Sequence, residues 1–565
     1  MAFLLSYTRK PIDEVHYDKR LAYSMHLAIS ADGKVFTPLN HNSGVLFPKA
    51  TENEDGTLNP KCLRHPRIYK DGDVYKVVAV RADGEGGEDK SCLFTDSFGD
   101  FATKVIVFET TDFINYKELG LFEADALQTK LLLTPYIGTA DLKKIEGVVP
   151  EHIVEIPDDF ADRLTKKLST PENVSVELPC SIKVSSEEEI LNYKVTFNYS
   201  DGTSSKKVVD WDLSNVDFTK SGSYEIKGHI KQPHFDFPVA FDRADPCVGF
   251  YNGKFYFIAT NDADGNHTLY IRESDTIEGL VNAEEHLILD STTYEGIGGL
   301  LWAPEFHIIN GRLYIFHACT PEPFFEEESH VMELKEGGNP INKDDWSRPK
   351  RVVKADGSDI CEAGKEITLD MTEFEWQGDY YVIWSQRQFL PVDLGAWLYV
   401  AKLNPEKPWM LLSEPVVLSK PDYGWGNNHT FVEEGPFALI RDDKLYVTFS
   451  AAAVDTSYVV GLLSIEKGKD LLDPSSWQKK GYPILTSRSV EGEFGTGHNA
   501  YVTDAEGNIW NTYHARPGEE APRSSGIRRV HFDMDGEPVL DLTEDKDIKE
   551  EFRTLQTKLI VEIPA

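Results

Sequence analysis

The sequence predicts an all-β fold: a five-bladed β-propeller, preceded by a small β-sandwich and an N-terminal blade-like β region. Two observations predict it. Helical periodicity is scarce, and short alternating apolar runs broken by Gly, Asn and Asp fill the chain after about residue 240. One pattern, a turn followed by alternating aromatic and aliphatic residues, then returns five times at nearly even spacing.

The five copies are Asn252-Gly-Lys-Phe-Tyr-Phe-Ile258, Asn310-Gly-Arg-Leu-Tyr-Ile-Phe316, Gln377-Gly-Asp-Tyr-Tyr-Val-Ile-Trp384, Asp442-Asp-Lys-Leu-Tyr-Val-Thr-Phe449 and Glu506-Gly-Asn-Ile-Trp-Asn-Thr-Tyr513. With the second turn residue as marker, positions 253, 311, 378, 443 and 507 stand 58, 67, 65 and 64 residues apart. Steps of this size suit four-stranded propeller blades with generous loops. The hairpins need a positive backbone φ, which explains the Asn-Gly turns. A two-sheet sandwich shares the short strands but has no fixed internal period of this length. The propeller is assigned residues 235–545, with 546–565 as a C-terminal strand or tail.

Upstream, 174–232 reads as a separate β module. It holds Tyr193-Lys-Val-Thr-Phe197, the turn Ser200-Asp-Gly202, Val208-Val-Asp-Trp211 with a candidate core Trp, and Gly222-Ser-Tyr-Glu-Ile226. That order resembles the bacterial immunoglobulin-like domains appended to carbohydrate enzymes, and a spacer role is expected because no exposed aromatic cluster marks a binding face. Residues 1–125 are also β-rich, and Lys70-Asp-Gly-Asp-Val-Tyr-Lys-Val-Val78 repeats the blade-opening pattern. One or two orphan blades are expected there, with 126–173 as a connector.

A chain of 565 residues exceeds what one compact core holds, in keeping with several modules. A formal net charge of −36 repels phosphate backbones and anionic lipid, so neither nucleic acid nor membrane is an expected partner, whereas a neutral sugar meets no such penalty. No apolar run reaches eighteen residues, and the opening Met1 to Lys10 turns polar before a signal-peptide core could form, so a cytoplasmic protein is expected. The six cysteines, Cys62, Cys92, Cys180, Cys247, Cys319 and Cys361, lack zinc-site spacing and read as reduced, mostly buried thiols.

Three acids stand at matched places in the repeat. Asp245 and Asp370 precede their markers by eight residues and Glu434 by nine. Equivalent positions on successive blades point the same way, so three carboxylates converge on one axis. Cleaving a glycosidic bond needs one carboxylic acid to protonate the departing oxygen and one carboxylate to activate water or attack, and crowding acids together raises the pKa of at least one. Glu305 sits at an offset of six and reads as structural, with the nearby Trp302 a candidate sugar platform. Trp384, Trp425 and Tyr458 are candidates either to stack on sugars or to fill the core, Trp384 being the one placed among substrate-binding residues. Arg516 is a candidate donor to a sugar hydroxyl.

Residues 240–530 resemble glycoside hydrolase family 43 through Ala244-Asp-Pro-Cys-Val248, Trp302-Ala-Pro-Glu305, Leu369-Asp-Met371, Glu434-Gly-Pro436 and Gly497-His-Asn499, in family order. The resemblance implies a five-bladed propeller that hydrolyses glycosides with inversion. Asp245 would be general base, Glu434 general acid and Asp370 the residue that tunes and orients the acid. Met371 follows Asp370 where the family more often has Pro or Ala, and Glu433 adjoins Glu434; the Glu-Gly-Pro match selects Glu434. The resemblance also makes His498 a substrate-facing residue and a metal ligand, holding a calcium ion at the axis mostly through water.

Val432 to Leu439, Gly461-Leu-Leu463, Asp473-Pro-Ser-Ser-Trp477 and Gly497 to Ala500 resemble the exo-acting α-L-arabinofuranosidases of the family. That resemblance implies release of terminal arabinofuranosyl residues from arabinose-containing oligosaccharides of the arabinan or arabinoxylan type. A β-xylosidase, another furanosidase such as a β-galactofuranosidase, and a glycan-binding propeller without activity remain alternatives. Retention of three acids at matched offsets speaks against the last.

Overall fold

The computed structural model describes residues 1–11, 17–87, 89, 104–321 and 324–563. The chain forms two compact units, one of Met1–Thr165, Phe237–Val502 and Asn511–Ile527, the other of Lys166–Asp236, Thr503–Trp510 and Arg528–Ala565.

The first unit holds the five blades. Blade 1 runs Arg243–Tyr251, Lys254–Asn261, Thr268–Ser274 and His286–Asp290, each strand antiparallel to the next. Blades 2, 3 and 4 repeat this order, opening with the inner strands Gly299–Ile309, Glu366–Trp376 and Glu433–Arg441. Blade 5 is a three-stranded sheet of Phe494–Thr503, Ile509–Arg516 and Ser524–Arg529. Its open edge is taken by the segment entering blade 1: the Val239 amide donates to the Ser525 carbonyl at 2.9 Å and the Ser525 amide to the Ala240 carbonyl at 2.8 Å. The ring thus closes by joining its two ends.

The turns follow the expected chemistry, with positive φ at Asn252 and Gly253, at Asn310 and Gly311, and at Gln377 and Gly378. Between blades, apolar faces interlock: Ile258 and Leu269 pack with Ile315 and Met332, and Phe316 and Val331 pack with Val382 and Trp384.

A second periodicity lies within the inner strands. Asp245, Ala303, Asp370, Gly435 and His498 all take left-handed φ, between 46° and 54°. The first four stand eight residues before their markers and His498 nine. In blades 1 to 4 the register of the inner strand slips at this point, the signature of a β-bulge. A bulge re-aims a side chain out of the pleat, and left-handed φ at a residue other than Gly costs on the order of 1–3 kcal/mol. Four blades accept that cost, at Asp245, Ala303, Asp370 and His498; blade 4 meets the same need with Gly435.

Ahead of the propeller, the first unit contains two further four-stranded antiparallel sheets, consistent with blade-like elements. One consists of Lys61–Asp71, Val74–Asp83, Lys104–Thr110 and Lys117–Glu123. The other orders Val148–Ile156, Ala2–Arg9, His26–Ser30 and Thr37–Pro38. The reading of 126–173 as a connector is therefore corrected. Its strand Val148–Ile156 covers the free edge of Ala2–Arg9, with a bulge beside Pro150 that masks the alternation in the sequence.

The second unit is a six-stranded sheet ordered Asn173–Glu177, Lys194–Tyr199, Ser204–Trp211, Gly222–Ile230, Thr554–Val561 and Ser181–Val184. Phe197, Trp211, Ile226, Leu559 and Val561 form its core, so Trp211 is buried as expected. The 174–232 boundary is corrected as well: the strand that completes the sheet comes from the chain's end, where Thr554–Val561 pairs antiparallel with Gly222–Ile230 and parallel with Ser181–Val184. Asp547 is buried in this unit and accepts from Lys207 Nζ at 3.0 Å, Arg529 Nε at 2.7 Å and the Tyr199 hydroxyl at 2.6 Å.

Cys62, Cys247, Cys319 and Cys361 are buried free thiols and Cys180 is an exposed one; Cys92 lies outside the described residues. Among the described residues no helix is long and apolar enough to cross a membrane.

Candidate active site

The inner-strand bulges bring three carboxylates together at the start of blades 1, 3 and 4. Asp245 is buried and surrounded by donors. The Thr260 hydroxyl donates to its Oδ2 at 2.7 Å, and His514 Nδ1, His498 Nδ1 and Arg523 Nη1 lie 3.0, 3.2 and 3.3 Å from Oδ1. Burial alone would raise its pKa. The guanidinium of Arg523 and the two imidazoles reverse this and hold the carboxyl well below the usual range. Burial lowers both imidazoles, His514 to about 4, against the upward pull of the Asp245 carboxylate.

Glu434 meets the opposite environment. Burial pushes its pKa up to about 7 against a hydrogen bond from the Tyr458 hydroxyl at 2.8 Å, and the charge of Asp245 adds to the rise. Asp370 is buried between them. Its Oδ2 accepts the Gly435 amide at 2.9 Å, and burial together with the charges of Glu434 and Asp245 raises it well above the normal value. The three acids share a field in which one carboxyl is held ionised and the other two compete for protons. Two carboxyls pushed apart in pKa are what acid and base partners require.

Glu433 turns away from this group. It is fully buried and paired with Lys479 at 2.5 Å, which separates its role from that of Glu434. Glu305 is also buried, 2.8 Å from His307 Nε2, and His307 Nδ1 lies 3.5 Å from Glu373. This is an internal ion cluster, as expected of a structural residue.

The other candidates divide. Trp302 remains partly exposed beside Phe324, with ring centroids 6.0 Å apart. Trp384 does not: it is fully buried between blades, stacked on Tyr399, with Nε1 donating to Gln386. Its second-strand position faces the neighbouring sheet, so it cannot stack on a sugar. Trp425 is likewise fully buried. Tyr458 is buried against His514, with rings 5.5 Å apart and 8° from parallel, and its hydroxyl serves Glu434. Arg516 spends Nη1 on the Ala521 carbonyl at 2.7 Å and Nη2 on the Val454 carbonyl at 2.9 Å, so it braces loops and does not offer those donors to a sugar. Arg523, seven residues on, is the cation at the site; its pairing with Asp245 and Asp262 gave no signal in the sequence because the partners are about 280 and 260 positions away.

His498 is buried, and its Nε2 has no hydrogen-bond partner among the described residues. One imidazole nitrogen is a poor match for calcium, which takes six to eight oxygens. Among the described residues no three His, Cys, Asp or Glu side chains gather as a metal-binding group, and the Asp245 oxygens are already engaged. Among the described residues the side chains around His498 do not supply the oxygen set that calcium prefers.

Residues 235–538, more than half of the chain, match the family described as glycosyl hydrolases family 43, and residues 166–233 match the bacterial Ig-like domain (group 4). Alpha-L-arabinofuranosidase B of Pyricularia oryzae is 32% identical over 307 residues, covering 52% of this chain and 60% of its own. An extracellular exo-alpha-(1->5)-L-arabinofuranosidase of Streptomyces chartreusis is 30% identical over 289 residues, covering 51% and 84%. Among solved structures, an alpha-L-arabinofuranosidase from Lactobacillus brevis is 27% identical and covers 54% of this chain and 95% of its own, with a TM-score of 0.47. The chain spans about 60% of the length of the first of these relatives.

Proposed function

Since the chain belongs to glycosyl hydrolases family 43, we propose that it is an exo-acting, inverting glycoside hydrolase that releases terminal α-L-arabinofuranosyl residues from arabinose-containing oligosaccharides. The observation that carries this reading is the opposed environment of Asp245 and Glu434, one carboxyl held ionised and the other pushed up to about 7.

Asp245 takes a proton from water as the water oxygen attacks the anomeric carbon. Glu434 gives its proton to the departing glycosidic oxygen, and the sugar leaves with inverted configuration. Inversion asks for a separation of about 6.5–9.5 Å between the two carboxyls, room for the water. Asp370 accepts the Gly435 amide and so anchors the peptide next to Glu434. Trp302 would supply the apolar face beneath the sugar. The substrate class comes from the relatives named above.

The test is sugar release from nitrophenyl α-L-arabinofuranoside and nitrophenyl β-D-xyloside by the wild type, Asp245→Ala and Glu434→Ala. Arabinose should be released by the wild type and fall about 10²- to 10⁴-fold in both variants. Xylose release without arabinose would overturn the substrate, and undiminished turnover in the variants would overturn the mechanism.

A further inference from the structure

The two family matches begin at residue 166, so the first 165 residues carry no assignment. Their contacts within the first unit converge on one segment. Between the outer strand of blade 3, Val416–Ser419, and Glu433 at the start of blade 4, the chain crosses from rim to axis through 420–432 with turns but no strand or helix. Such a segment must find partners for its backbone groups from elsewhere.

The N-terminal region supplies many of them. Arg20 Nη1 donates to the Asn427 carbonyl and lies 3.2 Å from Asn427 Oδ1, while its guanidinium sits 5.7 Å from the Phe431 ring. The Ala50 amide donates to the Asp422 carbonyl at 2.6 Å, and Lys49 pairs with the Asp422 carboxylate at 2.8 Å. Asp422 also holds Lys479 at 2.8 Å, and Lys479 holds Glu433, the residue before the proposed acid. A second line runs through His429, whose Nε2 lies 3.6 Å from Asp18 and whose Nδ1 lies 3.2 Å from Asp455. Three residues after Asp455 comes Tyr458, the donor to Glu434. Both lines start between residues 18 and 50; one ends at Glu433, the residue before the proposed acid, and the other at Tyr458, which donates to Glu434.

We infer that this N-terminal region is a scaffold for the general acid, and that Arg20 is a positioning residue that aims Glu434 through the 420–432 segment. The inference rests on the assignment of Glu434 as the acid. Catalysis by a proton donor demands tight geometry, and a displacement of about 1 Å originating far from the chemistry costs on the order of 100-fold. The cost falls only where a proton is needed. A sugar leaving group departs as an alkoxide unless protonated, whereas a dinitrophenolate leaves unaided.

The experiment uses the full chain with Arg20→Ala, Arg20→Lys and Lys49→Ala, assayed on an arabino-oligosaccharide and on dinitrophenyl α-L-arabinofuranoside. In Arg20→Ala, kcat on the oligosaccharide should fall at least about tenfold, while turnover of the dinitrophenyl substrate stays within about threefold. Arg20→Lys, which keeps the charge and a single donor nitrogen, should recover part of the loss, and Lys49→Ala should show the same substrate asymmetry more weakly. Equal falls on both substrates would signal lost folded protein and overturn the inference, as would no fall on either. Hydrogen exchange across 420–432 gives a readout independent of turnover: Arg20→Ala should exchange faster there than the wild type, and unchanged exchange would overturn the scaffold. Wild-type protein inactive on both substrates, but with the exchange difference present, would sink the assigned reaction and leave the scaffold standing.

Discussion

Replacing Tyr458 by Phe should make the enzyme active at higher pH. The Tyr458 hydroxyl donates to Glu434 Oε1 at 2.8 Å, and that bond favours the carboxylate. The ring is buried and stacked on His514 at 5.5 Å, so Phe keeps the packing and loses only the donor. A hydrogen bond to a charged acceptor contributes about 1.5–3 kcal/mol, and a pKa unit corresponds to about 1.4 kcal/mol. Part of the bond survives when Glu434 is neutral, so the net rise should be about one unit. Glu434 works as an acid only when protonated, and activity is lost as pH rises through its pKa of about 7. The basic limb of kcat/KM for an oligosaccharide should therefore move to about pH 8 in Tyr458→Phe, with the acidic limb unmoved. A pH series on wild type and variant reads this directly. A basic limb that stays in place or moves down would refute the assignment of Tyr458 as donor to the ionised acid.

Arg523→Ala removes the largest influence holding Asp245 ionised, so the acidic limb should move to higher pH and activity at about pH 5 should fall more than at about pH 7; identical limbs would contradict the pairing. Trp302→Ala should raise KM with little change in melting temperature. Trp384→Ala should leave KM alone and cost about 3–5 kcal/mol in denaturant unfolding because it empties a buried site between blades. Asp547→Ala strands Lys207 and Arg529 without their shared counter-ion and should destabilise the second unit by about 3–5 kcal/mol, read as an earlier unfolding transition.

How much was legible follows from how local each signal was. The blades could be read because each is announced by a turn and a strand within eight residues, and the matched offsets of Asp245 and Asp370 reflect a bulge repeated at one place in blades 1 to 4. That bulge also explains the odd member: blade 2 puts Ala303 at the left-handed position, so Glu305 falls two residues past it and pairs with His307. In blade 4 Gly435 takes the position and Glu434 stands just before it. Arg523, His514 and the hydroxyl role of Tyr458 were not legible, since they depend on partners 24 to 278 positions away that leave no local pattern. Trp384 was misplaced because residue type shows what a side chain can do, not which face of a strand it occupies. The strand Thr554–Val561 was expected as a C-terminal strand or tail, but its place in the immunoglobulin-like sheet was not legible because its partners lie more than 300 residues earlier.

That last strand has a consequence for how the chain is made. The immunoglobulin-like sheet begins before residue 180 and is finished only by residues 554–561, so most of the propeller is threaded into it as an insertion. During synthesis the strands Ser181–Val184 and Gly222–Ile230 emerge first and wait, with unpaired edges, while some 300 further residues are translated. Asp245 waits as well, since His498, His514 and Arg523 are among the last propeller residues to appear. A nascent chain therefore holds neither a finished sheet nor an assembled site around Asp245, and loss of the final dozen residues would leave the sheet's early strands open to other chains.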